Sequence, residues 1–327
     1  MGCDMSNRTL CWCLALLVLP IPNAVAKHAK DVQKLPFKLY RNHLVITTGT
    51  LGGIAQRNLL IDTGASPTVV DQALAYELGL KPIARPFGGI NVVGGVMQAY
   101  YAILRSFDLG PIHRESIPVA VANLSLMQAE AGVRIDAIVG LDMLEPNDFQ
   151  IDYDSRKISF GALRASSWSV PMAQIAPFVI VETHINGSRV NLAVDTGTPQ
   201  PVLFREGLPN SIATVPVVDR VQLSNVAGDI VAPEIQLAKF RVGNADLSGS
   251  TAVIATVPQS HEFQGVLGIS AFHLKRLSFD FQRRLLGFDL ADSIESGLPS
   301  GSSCGNAFAA GGCGHALLVR GFSRLSD

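Results

Sequence analysis

The chain has 327 residues, 48% of them hydrophobic and 16% charged, with 26 Lys and Arg against 27 Asp and Glu. That balance excludes disorder over most of the length and leaves no basic field for a phosphate backbone, so no nucleic-acid partner is expected. One large domain or two smaller ones can each bury a core at this length, and 30 Gly with 18 Pro favour strands joined by many turns.

Residues 1–26 read as a secretory signal peptide. Arg8 precedes an apolar stretch from Leu10 to Leu19, then come Pro20, Pro22 and the small-residue triplet Ala24-Val25-Ala26. The apolar core is far shorter than the roughly 20 residues a transmembrane helix needs, so membrane association is expected only if the signal stays uncleaved. The expected location is periplasmic or secreted. Loss of Cys3, Cys11 and Cys13 with the signal leaves Cys304 and Cys313, an even pair suited to a disulfide in an oxidising compartment. His315 beside them supplies too few ligands for zinc, and His28, His43 and His113 lie in polar or turn contexts that suit the surface. Neither a metal nor a cofactor is expected.

The β-branched run Leu44-Val45-Ile46-Thr47-Thr48, a turn from Gly49 to Gly53 and the apolar Leu59-Leu60-Ile61 form a hairpin entering Asp62-Thr63-Gly64-Ala65. A short helix is predicted over Leu74 to Leu80, closed by Gly79. Ala137-Ile138-Val139 is an apolar run ending at Gly140. Residues 165–177 hold Ser166, Ser167, Pro171 and Pro177 and read as a linker. The pattern then repeats. Val179 to Thr183, the hairpin turn Ile185-Asn186-Gly187-Ser188 and the apolar Leu192-Ala193-Val194 enter Asp195-Thr196-Gly197-Thr198. Gly265-Val266-Leu267 ends at Gly268, and Ser270 to Leu274 suits a second short helix.

Gly140 and Gly268 are 128 residues apart, as are Ile151-Asp152-Tyr153 and Phe279-Asp280-Phe281, and Phe160 and Phe288. Asp152 and Asp280 recur in strand and turn settings and read as structural. The predicted organisation is a first half over 27–164, the linker, a second half over 178–291 and a Gly-rich extension over 292–327.

One Asp-Thr-Gly tripeptide has an ordinary use, since Asp before Gly caps turns. Two of them in two similar halves are different. A pseudo-twofold axis relating the halves brings the loops together and makes Asp62 face Asp195. Two adjacent carboxyls share one proton, so the ionised member can take a proton from water while the other hydrogen-bonds a scissile carbonyl. Thr63 and Thr196 carry hydroxyls suited to bonding across the loops, and Gly64 and Gly197 clear space for a substrate backbone.

These motifs resemble the aspartic proteases, specifically the retropepsin-like group, from Leu44 to Leu290. The resemblance implies an all-β, bilobal pepsin/retropepsin-like fold of two pseudo-twofold-related β half-domains with few short helices. It implies Asp62 and Asp195 as the catalytic dyad, with Thr63, Gly64, Ala65, Thr196, Gly197 and Thr198 in supporting loops. Gly140 and Gly268 then end strands passing behind those loops. A substrate-covering flap is implied within Phe87 to Gln98, around Val93, Gly94 and Gly95, with Leu223 to Ile230 as its counterpart.

The expected function is that of an exported aspartic endopeptidase acting on peptide or protein substrates, with both loops supplied by one chain. Pro199 and Pro201 stiffen the exit of the second loop and remove backbone donors, which predicts a less regular second site. Two alternatives therefore stand beside it. One is a protease active only as a homodimer through Asp62, and the other is a peptide binder that keeps the cleft without turnover.

Overall fold

The computed structural model describes residues 33–83, 88–92, 95–175, 177–225, 228–256, 262–269 and 274–291, all within the unit Asp31–Asp327. The expected signal peptide, the expected glycine-rich extension with Cys304 and Cys313, the expected flap residues Val93 and Gly94, and residues 270–273 of the second expected helix lie outside them. Among the described residues the strands fall into one sheet of 15 and one of 8, with four short helices. This is the all-β, two-lobed architecture expected of the repeat.

Each Asp-Thr-Gly loop is suspended from the same supersecondary unit. In the first half, strands Leu44–Leu51 and Ile54–Ile61 form a hairpin turned by Gly52 and Gly53, both at positive φ. The outgoing strand pairs in parallel with Ala137–Val139, Ile61 opposite Val139, and Val69–Asp71 pairs on the other side of that strand. Leu59, Leu60 and Ile61 are all fully buried. A strand covered on both faces reads as a continuous apolar run, which is why the sequence leading into Asp62 does not alternate.

The second half repeats the unit. Strands Phe178–Ile185 and Ser188–Asp195 meet at Asn186-Gly187, with φ of 48° and 85°, as an Asn-Gly hairpin turn requires. Val194 then pairs in parallel with Leu267, as Ile61 does with Val139.

The halves are joined through one antiparallel ladder. Phe149 pairs with Phe279, Gln150 with Ser278 and Ile151 with Leu277. The repeat offset of 128 exchanges the first and third of these pairs and leaves the Gln150–Ser278 pair in place. The pseudo-twofold axis therefore crosses the sheet at that pair, and Phe149 stacks on Phe279 across it with ring centroids 4.6 Å apart. The main core runs without interruption from Phe37 in the first half to Phe288 in the second. Asp152 and Asp280 each accept a backbone N–H three residues on, from Ser155 at 2.7 Å and Arg283 at 2.8 Å, and so cap equivalent turns.

Three expectations are corrected. Within 165–177, Trp168–Ile175 is a strand that pairs with Leu285–Leu290 through its first four residues and with Phe178–Ile185 through its last four. Its alternation of Trp168, Val170 and Met172, the last two buried, outweighs Ser and Pro as loop formers. The first half divides the same role between Gln33–Pro36 and Lys38–Tyr40. His43 is buried, its Nδ1 on the Arg41 carbonyl oxygen at 2.8 Å, and burial lowers its pKa to about 4. The first helix is Gln72–Glu77, capped by the Asp71 carboxylate and followed by Gly79 at positive φ.

Candidate active site

The sequence leads each carboxylate out of a buried strand into a tight loop, and the two loops grip each other. Thr63 N–H donates to Thr196 Oγ1 at 3.0 Å, and Thr196 N–H donates to Thr63 Oγ1 at 3.2 Å. The hydroxyls then donate onward across the axis, Thr63 to the Val194 carbonyl at 2.9 Å and Thr196 to the Ile61 carbonyl at 3.0 Å. Both threonines are buried, so all four bonds are shielded from water, and losing any of them strands a buried polar group. Each Thr is bonded to the strand of the opposite half, which fixes the separation of the aspartates that precede them.

The glycines show how closely the loops approach. A Cβ on Gly64 would fall on the Asp195 carboxyl group, 2.8 Å from Oδ1, and one on Gly197 would lie 2.7 Å from Asp62 Oδ2. Each glycine thus makes room for the other loop's carboxylate. Behind the loops, a Cβ on Gly140 would strike the Ala65 carbonyl and one on Gly268 would lie 2.6 Å from the backbone of Gln200. Gly140 and Gly268, at the ends of their strands, thus lie against the backbone of the two loops.

The Asp62 and Asp195 carboxyl groups lie close enough to act on each other's titration. Burial holds the Asp62 carboxyl well above the usual carboxylate range, and the negative charge of Asp195 adds to this, against a Gly64 N–H donated at 2.9 Å. Burial raises Asp195 as well, but the Thr198 hydroxyl at 2.9 Å and the Gly197 N–H at 2.8 Å oppose it. Two carboxyls in contact in a low-dielectric site cannot both ionise cheaply, so the pair retains a proton at pH values where free carboxyls have lost theirs.

The expected distortion of the second loop by Pro199 and Pro201 is absent. The Pro201 carbonyl still accepts the Val253 N–H at 2.9 Å, as the Thr68 carbonyl accepts that of Ala120 at 3.0 Å. Proline removes only an N–H, and in the first half that N–H serves a local partner. Thr68 N–H and Oγ1 both donate to Asp142, at 3.0 and 2.8 Å, while Thr68 Oγ1 accepts from Gly140 N–H at 3.0 Å. Thr68 and Asp142 hold the first loop on its backing strand, a role the repeat pattern did not reveal because Pro201 replaces Thr68 in the second half.

Of the expected flap residues, Gly95 begins strand Gly95–Leu109, which pairs antiparallel with Gly88–Val92, Gly95 opposite Val92. Its counterpart joins Val217–Asn225 to Gly228–Gln236. Both hairpins lie between an Asp loop and the glycine-ending strand behind it in the chain.

No curated protein matches the chain. A family model described as aspartyl protease matches residues 47–143 and 181–271, one segment around each Asp-Thr-Gly loop. With that match over more than half of its 327 residues, and with both loops inside it, the chain belongs to the aspartyl protease family.

Proposed function

We propose that the protein is an exported aspartic endopeptidase that hydrolyses amide bonds by activating one water molecule between Asp62 and Asp195. The observation that carries this reading is the pair of carboxyls, each lodged against the opposite loop's glycine and held together by the Thr63–Thr196 grip. The ionised carboxylate takes a proton from the water, and the resulting hydroxide adds to the carbonyl carbon. The protonated carboxyl gives its proton to the carbonyl oxygen, so a neutral gem-diol forms. Collapse returns a hydroxyl proton to one carboxylate, the other carboxyl protonates the amide nitrogen, and the C–N bond breaks to give an acid and an amine. The dyad ends with one proton, as it began.

Peptide substrate lies extended over the loops and under the hairpin of Gly88–Val92 with Gly95–Leu109, where Gly64 and Gly197 keep side chains away from the scissile bond. One chain contributes both aspartates, so the working unit is a monomer and needs no second copy to complete the site. Residues 1–26 direct export and are cleaved after Ala26, and Cys304 and Cys313 form a disulfide in the exported chain.

Hydrolysis of a mixed peptide library from acidic to neutral pH tests the reaction. Cleavage blocked by a statine-type inhibitor and lost in both Asp62→Asn and Asp195→Asn is expected. Cleavage that persists in either variant would falsify the dyad. Complete absence of cleavage by the mature wild-type chain would leave a peptide-binding role. The mass of the exported protein checks both the cleavage point and the disulfide, and its size in solution checks the monomer.

A further inference from the structure

The first half carries an exposed apolar shoulder that the second half replaces with polar groups. Leu60, two residues before Asp62, lies opposite Ile138, which lies opposite Val69, and Val69 lies opposite Ala120 of strand Ile112–Ala122. All four are buried in one apolar cluster, against which Ala65 of the Asp62 loop also packs. Ala120 in turn lies opposite Tyr101 of strand Gly95–Leu109, and Pro118 lies opposite Ile103. Residues directly opposite across a ladder, or two apart along a strand, share a face of the sheet, so Tyr101 and Ile103 extend that same face. They are 39% and 43% exposed, and Pro118 beside them is exposed. Ile83, also 39% exposed, runs alongside, its N–H donating to the Tyr101 carbonyl at 2.9 Å. We infer that Tyr101, Ile103 and Pro118, with Ile83 beside them, form an exosite that takes an aliphatic or aromatic side chain of an extended polypeptide substrate, remote from the scissile bond.

Continuity with the cleft identifies the occupant. From Leu60 to Tyr101 the row crosses four strand-to-strand steps, about 19 Å at roughly 4.8 Å each. An extended peptide covers that distance in about five or six residues. In the second half, Ala193, Val266, Val202 and Val253 form the equivalent row within their own apolar cluster. There Glu234 stands opposite Val253, as Tyr101 does opposite Ala120, and Gln236 stands opposite Thr251, as Ile103 does opposite Pro118. Glu234 accepts from Gln200 Nε2 at 3.0 Å, so that half turns its shoulder inward and offers no apolar seat. The two ends of the cleft therefore differ in chemistry, and the exosite reads one side of the scissile bond only. Burying a remote side chain there strengthens ground state and transition state alike, so it lowers KM and leaves kcat in place. Under the proposed function, on which this inference rests, the substrate is then a polypeptide segment with an apolar anchor rather than a di- or tripeptide.

The test uses the full mature chain and peptide pools with a short randomised centre flanked by Gly-Ser arms. Each pool carries one Phe at a set distance from the centre, on one side or the other, with Gly at that place as the control. A Phe about four to six residues from the cut, on one side only, should raise kcat/KM roughly five- to tenfold, through KM. Tyr101→Ser combined with Ile103→Ser should remove that rise, whereas Tyr76→Ser, on helix Gln72–Glu77 and 89% exposed, should keep it. Tyr101→Glu copies Glu234 of the second half and should turn the preference from Phe to Lys. Should the double variant fail to fold, Tyr101→Glu decides, because an unchanged Phe preference there overturns the inference. Pools without a preferred position, an equal rise on both sides, or a rise that survives in the double variant overturn it too. If the wild-type chain cleaves none of the pools, fluorescence anisotropy of the same pools, labelled, reads binding in place of turnover. A Phe preference that Tyr101→Glu reverses then upholds the exosite and removes the endopeptidase reading, while binding without preference, or no binding, overturns the exosite.

Discussion

The two halves of the molecule share a frame and differ in how they furnish it. Asn58 N–H donates to Asp136 at 2.8 Å in the first half, and Asn191 N–H donates to Gln264 at 2.9 Å in the second. The acceptor stays in place while its charge changes, and the charged version draws Arg134 to 2.8 Å. Thr68 and Asp142 lock the first loop to its backing strand, whereas in the second half Gln200 reaches sideways to Glu234. Where the two loops meet at the axis, the aspartates, the threonine grip and the facing glycines are duplicated faithfully. The supports turned into a single lobe have diverged, and so have the side chains of the Phe149–Asp152 ladder, where Gln150 answers Ser278. Symmetry is kept where the two loops must fit each other, because a change there has to be matched across the axis.

The largest effect expected from breaking this symmetry is chemical. Asp62→Asn and Asp195→Asn should each lower kcat/KM by about 10²–10⁴-fold or more, because each removes one proton-transfer group. A half that had lost its role would show as one tolerant variant. Gly64→Ala and Gly197→Ala come next, since each pushes a methyl group into the opposite carboxylate. Overpacking of this kind costs about 1–3 kcal/mol, and denaturant unfolding beside activity should show similar losses for both.

Thr63→Val and Thr196→Val each strand buried partners at a cost of about 1–3 kcal/mol. Since the two hydroxyls belong to one grip, the double variant should lose less than the sum of the singles, which a double-mutant cycle of unfolding free energies measures. Thr68→Val tests divergence. It should destabilise the first loop by about 1–3 kcal/mol, because Asp142 keeps only the backbone N–H of residue 68 as donor there and the Gly140 N–H loses its acceptor, while the second half needs no such group.

The pH dependence of stability separates the dyad from the structural ion pairs with opposite signs. Asp62 is raised, so the folded state holds its proton more tightly than the unfolded chain, and stability falls as pH climbs from the ordinary carboxyl value of 3.8 through the folded value. Asp62→Asn should therefore gain stability over wild type with rising pH. For Asp289, burial opposes ionisation but is outweighed by Ser167 and Arg276, so its folded value is lowered. Its contribution is present above the ordinary carboxyl value and is lost as pH falls through the folded one. Asp289→Asn should be less stable than wild type at neutral pH, and the gap should close in acid. Thermal melts across pH check both.

Much of the fold was legible because burial writes itself into periodicity. Leu59 to Ile61 and Leu192 to Val194 read as apolar strands entering Asp-Thr-Gly, and Asn186-Gly187 read as a tight hairpin. The strand Trp168–Ile175 was hidden because Ser and Pro signal loops locally, and only pairing on both sides with Leu285–Leu290 and Phe178–Ile185 overrides them. The helix Ser125–Ala131 gave no signal at its start, having no side-chain cap there, and ends on Gly132 at positive φ. His43 sits in a turn, and its burial follows from what covers the turn rather than from its neighbours in sequence.

By itself the sequence determined that the chain is a repeat, that each copy ends a buried strand in Asp-Thr-Gly, and that the two aspartates belong together. Those facts are local, repeated at a fixed spacing, and survive any change in distant contacts. Tertiary structure alone decided the terms on which the aspartates meet: which backbone each threonine holds, and which glycine clears room for which carboxylate. The grip joins residues 133 apart in the chain, and a hydrogen bond between such residues exists only once both lobes have folded around a common axis.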